Sequence, residues 1–255
     1  MVTFKEKEEI IKLREGGKIL AEILQNVAHL AKPGISTARL NEIAEELIKK
    51  FGARPSFKNF RSEKNVPPYP ATLCTSINDE IVHCVPSQER ILKDGDILGL
   101  DLGIWYKNFC TDSAFTVAIG EISKEAQKLI STTEESLYKG IKEAVVGNTI
   151  GDIGFVISQY VQQAGFSVIR DLVGHGVGYG VHEDPQIPNF GQKGQGEKLK
   201  VGMVLAIEPM TTIGDYHIKS CSDHFGYRTS DGSLSAHFEH TIAITENDPE
   251  ILTKL

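Results

Sequence analysis

Long apolar runs are missing from this 255-residue chain. No uninterrupted stretch approaches the roughly 20 residues that a bilayer-spanning helix needs, so no helical membrane span is expected. The opening MVTFKEKEEII lacks the apolar centre of a secretory signal. Cysteine is scarce. The four present, Cys74, Cys84, Cys110 and Cys221, form no CxxC pair and no dense framework, which fits a reducing cytoplasm better than a secreted, stapled fold. Positive charge is in deficit, with 27 Lys and Arg against 34 Asp and Glu. A net charge of −7 argues against bulk affinity for nucleic acid or an anionic membrane surface. Linker-like and low-complexity tracts are lacking too. What remains is ordinary for a soluble globular protein: 40% hydrophobic and 24% charged residues. The whole chain, 1–255, reads as one domain.

Apolar residues at Ile10, Leu13, Ile19, Leu20, Ile23, Leu24 and Val27 predict a helix from about Lys5 to Leu30. Pro33-Gly34 ends it. A second helix starts at Ser36-Thr37 and stops at Gly52, a good residue just past a helix end. The segment PSFKNFRSEKNVPPYP then reads as an exposed loop.

The chain also resembles itself. At an offset of 113, GISTARLNEIAEELIKKFG (34–52) lies on GNTIGDIGFVISQYVQQAG (147–165), with matching apolar positions and matching terminal glycines. At an offset of 107, LKDGDILGLDLG lies on LKVGMVLAIEPM and sets Asp101 on Glu208. The strand around Asp112 resembles that around Glu239, and HCVP (83–86) pairs with HEDP (182–185), His83 with His182. The order of these matches is the same in both halves, roughly 1–122 and 123–255. The expected architecture is α+β, a pseudo-two-fold duplication whose curved antiparallel sheet closes around a central site, with helices on its outer face.

Within LGLDLGIWYKNFCTDSAFTV, two strands each carry an aspartate in apolar surroundings. A two-residue turn at Tyr106-Lys107 would set Asp101 directly opposite Asp112, which like charges disfavour. Taken singly, Asp101 reads first as a strand-end or turn carboxylate, while Glu239 is as readily a surface strand residue as a ligand and His175 as readily an exposed turn histidine as a ligand. The repeat changes that weighting. It draws Asp101, Asp112, Glu208 and Glu239 together, and divalent cations convert the mutual repulsion of such a group into binding. Adding His175 from GHGVG gives five ligands, enough for two ions sharing bridging carboxylates. Oxygen-rich ligation with a single nitrogen suits Co, Mn, Fe(II) or Zn in an open catalytic site.

Through CTSINDEIVH, the Asp101/Asp112 pair, GHGVGYGVHEDPQIP, LAIEPM and SLSAHFEHT, the sequence resembles the type I methionine aminopeptidases of the pita-bread metallopeptidase fold. The resemblance spans essentially the whole chain. It implies that Asp101 chelates one metal, that Asp112 and Glu239 bridge two, and that His175 and Glu208 complete the second site. It implies Glu208 in general base chemistry with a hydroxide held between the ions, His182 on the scissile carbonyl, and His83 near the substrate amine or scissile nitrogen. Tyr69, Cys74 and Phe225 would line a pocket for the methionine side chain. The implied substrates are the N-termini of nascent polypeptides with a small second residue. The implied setting is a cytoplasmic monomer in transient association with the ribosome, with no membrane and no specific nucleic-acid partner. Only 100 residues precede Asp101, too few for the extra domain of the prolidase branch, and Glu208 lies just 33 positions after His175, too close for the type II insertion. The chain departs from the family pattern at Cys84, at Asn108-Phe109-Cys110-Thr111, at Val181, at Phe225 and at His237, where glutamine is usual. An Xaa-Pro-cleaving peptidase and a metal-free peptide-binding module are the competing readings.

Overall fold

A computed structural model describes residues 1–61 and 66–255; the middle of the 55–70 loop thus lies outside the described residues. Among the described residues four helices, α1 (Lys7–Leu30), α2 (Thr37–Lys50), α3 (Lys124–Lys142) and α4 (Ile150–Gln163), accompany fifteen strands. The strands of the first half are β1 (Arg54–Pro55), β2 (Cys74–Ile77), β3 (Glu80–Val82), β4 (Ile97–Tyr106) and β5 (Phe109–Ala118). Those of the second are β6 (Ser167–Val168), β7 (Gly174–Gly176), β8 (Glu183–Ile187), β9 (Val204–Ile207), β10 (Met210–Thr212), β11 (Ile218–Ser220), β12 (Tyr227–Thr229), β13 (Ser235–His237), β14 (Glu239–Ala243) and β15 (Glu250–Ile251). The main antiparallel sheet runs β1-β4-β5-β14-β9-β7-β8, with β2 beside β4 and β15 beside β14.

Helix boundaries follow the sequence signals. Ser36 caps α2 by accepting from the Arg39 N–H at 3.2 Å, and Gly52 leaves the helix at φ +70°. Helix α1 lays Leu13, Leu20, Ile23, Leu24 and Val27 on the sheet. Its Gly16-Gly17 pair permits close approach: a β-carbon at Gly17 would stand 2.2 Å from the Leu252 carbonyl oxygen. Two large apolar clusters result, one built around α1 and α2, the other around α3 and α4.

The duplication is real at atomic detail. Helix α2 maps onto α4 residue for residue at the offset of 113. Gly34 and Gly147 take φ of +93° and +98°, Gly52 and Gly165 of +70° and +89°. Even the lone bridge Ser36–Ile91 recurs as Thr149–Lys198.

Two expectations need correction. The β4–β5 turn is Lys107-Asn108, with φ of +48° and +68°, the left-handed pair that the twist of a two-residue hairpin requires. Asp101 therefore pairs with Ala114 and Asp112 with Gly103: the two aspartates are diagonal neighbours on one face, not opposite. The second correction concerns the overlay of Asp112 on Glu239. The N–H groups of Gly95 and Gly202 bond Ile119 and Ile244 respectively, which equates Glu239 with Ala114 and places His237 where the first half has Asp112. The loop expected to be exposed also folds inward in part, for Tyr69 is buried.

Candidate metal centre

Sheet order explains why five distant residues meet. Side chains two apart on a strand share a face, and neighbouring strands lie about 4.8 Å apart. One cross-strand row runs Asp101–Ala114–Glu239, through β4, β5 and β14. The adjacent row runs Gly103–Asp112 on β4 and β5, and Thr241–Ala206–His175 on β14, β9 and β7. Glu208 follows β9 two residues beyond Ala206, on the same face. Small residues between the acidic ones leave the space open. Thr241 joins the two halves of the second row: its hydroxyl accepts the Asp112 N–H at 2.9 Å and donates to the Asp112 carbonyl at 2.7 Å.

Ligand atoms of Asp112, His175 and Glu239 lie within 4.8 Å of one another. His175 Nε2 is 3.6 Å from Glu208 Oε1, while its Nδ1 is 2.9 Å from the Gly176 carbonyl. With the proton on Nδ1, where that carbonyl can accept it, Nε2 keeps its lone pair for a cation. Asp101 and Asp112 are buried, and each has one Oδ1 without a hydrogen-bond partner. Among the described residues no Lys or Arg pairs with any of the four carboxylates; only His175 and His237 approach Glu208.

The electrostatics record this imbalance. Burial, then the Asp112 charge, drives Asp101 well above the carboxylate range. Burial pushes Asp112 up to about 7. Burial also raises Glu208 and Glu239, and the neighbouring carboxylates add to it. In the same space burial lowers His175 to about 3 and His83 to about 4, keeping both imidazoles neutral. Orphaned oxygens, no organic counter-charge and neutral imidazoles fit divalent cations well.

His83 and His182 stand at the rim. His182 packs its ring 4.5 Å from that of His175 and 5.2 Å from that of Phe60, both edge-on. Its successor Glu183 is anchored by Lys5 at 2.8 Å and accepts the Tyr179 and Gly180 N–H groups, which fixes the turn leading into His182. Two cavities meet at these histidines. One, of about 640 Å³, is lined by His83, His175, His182 and Glu208. The other, of about 400 Å³, is mainly apolar, with Phe57, Phe60, Tyr69, Cys74 and Phe225 in its wall beside His83 and His182. Val181, one of the departures from the family pattern, packs in the core with Leu13, Phe109 and Val204.

One neighbour was not placed in the site from the sequence. His237 is buried with its Nε2 unpartnered, 3.5 Å from Glu208 Oε2. Its signal was present as the departure from the usual glutamine, but the overlay that paired Asp112 with Glu239 concealed its position.

Residues 11–246 match Metallopeptidase family M24. The chain is 49% identical over 253 residues to the methionine aminopeptidase of Clostridium acetobutylicum, covering 99% of each. It is 46% identical over 255 residues to methionine aminopeptidase 1 of Bacillus subtilis, covering 100% of each. Among solved structures, methionine aminopeptidase from Thermotoga maritima superposes with a TM-score of 0.96 at 42% identity, covering 100% of both chains. The prolidase from Pyrococcus horikoshii shares the fold at 22% identity, TM-score 0.78, covering 98% of this chain and 63% of that one. With the ligand rows, the duplicated halves and this full-length similarity in agreement, the chain belongs to metallopeptidase family M24.

Proposed function

We propose that the protein removes N-terminal methionine from nascent polypeptides and peptides whose second residue is small. The observation that carries this reading is the junction at His83 and His182 between an apolar cavity and a carboxylate-lined one. The apolar cavity suits an unbranched thioether side chain among aromatic rings. The full-length relatives bear the methionine aminopeptidase name. The reading places the enzyme in the cytoplasm as a monomer, reaching its substrates at the ribosome.

Asp101, Asp112, His175, Glu208 and Glu239 would hold two divalent ions, of Co, Mn, Fe(II) or Zn. Bound there, the ions supply Lewis acidity for the scissile carbonyl and lower the pKa of water. The chain's own residues do the rest. Phe57, Phe60, Tyr69 and Phe225 receive the side chain and exclude water. His182, neutral, donates toward the carbonyl oxygen as negative charge develops there. His83 faces the substrate amine or the scissile nitrogen. Glu208, raised by burial, is poised to take and return a proton.

The test is release of methionine from a Met-Ala-Ser peptide by metal-stripped protein, with and without Mn, Fe(II) or Co. Metal-dependent release that disappears in Asp112→Asn supports the proposal. Cleavage of Ala-Pro ends instead would move the protein to the proline-specific branch, and silence on both would overturn the peptidase reading.

A further inference from the structure

Away from the carboxylate rows, Glu80, Cys84 and Cys221 converge where β3, β12 and β11 run side by side. One donor atom from each lies within 4.8 Å of the other two. We propose that these three residues form a separate binding site for a single thiophilic divalent cation of the zinc class, with a fourth position open to water.

Geometry favours a cation over a covalent bond. The sulfurs stand 3.7 Å apart. Two thiolates about 2.3 Å from a tetrahedral ion are about 3.8 Å apart, whereas a disulfide requires closure to about 2.05 Å. The fold makes room for this spacing. Cys221 is fixed by its N–H to the Gly226 carbonyl at 2.7 Å. A β-carbon on Gly226 would come within 2.5 Å of Cys84 Sγ and 3.3 Å of Cys221 Sγ. Glycine there leaves the gap through which sulfurs from two separate segments meet.

Glu80 is prepared in the same way. Its Oε2 accepts from the Ile77 N–H at 2.7 Å and from Arg90, which orients the carboxylate while leaving Oε1 for another partner. Arg90 is otherwise held by the Val85 and Thr75 carbonyls, and Arg228 is held by Asp79. The local charges, Asp79, Glu80 and Asp223 against Arg90 and Arg228, leave an acidic balance before either thiol ionises. Of the two thiols, Cys84 is buried and Cys221 is half-exposed, so Cys221 is the one that solvent and an arriving ion can reach.

Occupancy would tie together two segments that wall the apolar cavity. Cys84 follows His83. Cys221 opens the turn whose Asp223 accepts the N–H groups of Val85, Phe225 and Gly226 at 3.0, 2.9 and 2.8 Å. A cation here would clamp Phe225 against His83 without touching the carboxylate centre.

The test is a cadmium titration of the reduced full-length protein, read by ultraviolet absorption and by equilibrium dialysis. Wild type should develop the thiolate-to-cadmium band, and zinc should displace it. The Cys84→Ser/Cys221→Ser variant should lose that band and bind one equivalent fewer, however many ions the other centre takes. Cys221→Ser alone, at the half-exposed position, should lose the same equivalent with an unchanged circular dichroism spectrum. Equal stoichiometry and equal spectra in wild type and variants would overturn the proposal. So would a freshly isolated protein whose two thiols are already joined to each other.

Discussion

Asp101 and Asp112 each bury a carboxylate oxygen that no described residue satisfies. Without a cation such a group is held at a cost in stability, because desolvation and like charge both oppose it. Asp101→Asn should therefore raise the melting temperature of the metal-stripped protein. The same change should abolish the further rise that Mn or Co produces in wild type. A thermal scan with and without metal checks both, and a lower stripped-state melting temperature would contradict this account. His240, on the opposite side of β14, gives a pH test of the core. Burial, then the Lys254 charge, lowers it from 6.5 to about 4. Between those values the unfolded chain binds a proton that the folded chain refuses, so stability falls as pH drops from 6.5 toward 4. His240→Gln should flatten that part of the urea-midpoint profile by up to a few kcal/mol. The four proposed carboxylate ligands were legible because acidic residues in apolar strands are conspicuous, and His175 because of its flanking glycines. His237 stood out only as a departure from the usual glutamine, and SAHFEHT by itself does not show that this ring approaches Glu208.

Among the elements, helices α1, α2 and α4 could be read closely, whereas α3 was not read from the sequence and the strand registers could not be. A helix carries its periodicity and caps within a few residues, and α2 and α4 begin and end where Ser36, Gly52, Thr149 and Gly165 indicate. Strand register depends on a partner. Tyr106-Lys107 and Lys107-Asn108 are equally plausible turns by eye, and the choice moves every side chain of β5 relative to β4. The Cys84–Cys221 contact, across 137 residues, had no sequence signal. The observed turn makes a prediction. A β-branched residue at Asn108, where φ is +68°, is strained, so Asn108→Val should cost about 1–2 kcal/mol in urea unfolding. Gly17→Ala should cost about 1–3 kcal/mol by forcing α1 off the Leu252 carbonyl. Gly16→Ala, whose nearest contact would be 3.2 Å to Tyr106 Cβ, should cost less. Helix propensity alone would make both changes stabilising, so equal losses at both glycines would contradict the closer approach at Gly17.

Across the whole molecule, the rows of proposed ligands cross the join between the halves: Asp101 and Asp112 come from one, His175, Glu208 and Glu239 from the other. Metal bound by these residues would thus be coupled to keeping the halves together. At a free metal concentration about 100 times the dissociation constant, the folded protein should gain about 2.7 kcal/mol. Because β5 and β14 meet at this join, the gain should appear in the global unfolding transition and not in local fraying. Hydrogen exchange of β5 and β14 amides, with and without Mn, checks where it appears.

The order of strands in space differs from their order in time. Strand β14 lies in the middle of the sheet, between β5 and β9, yet only residues 244–255 of this sequence follow it. As the chain is synthesised, β5 and β9 are made long before the strand that separates them. Until β14 arrives, each presents an open edge, and the two acidic groups have no common face to share. The protein therefore acquires its centre only once β14 has been made, and a chain that still lacks it is a sticky one before it is an enzyme.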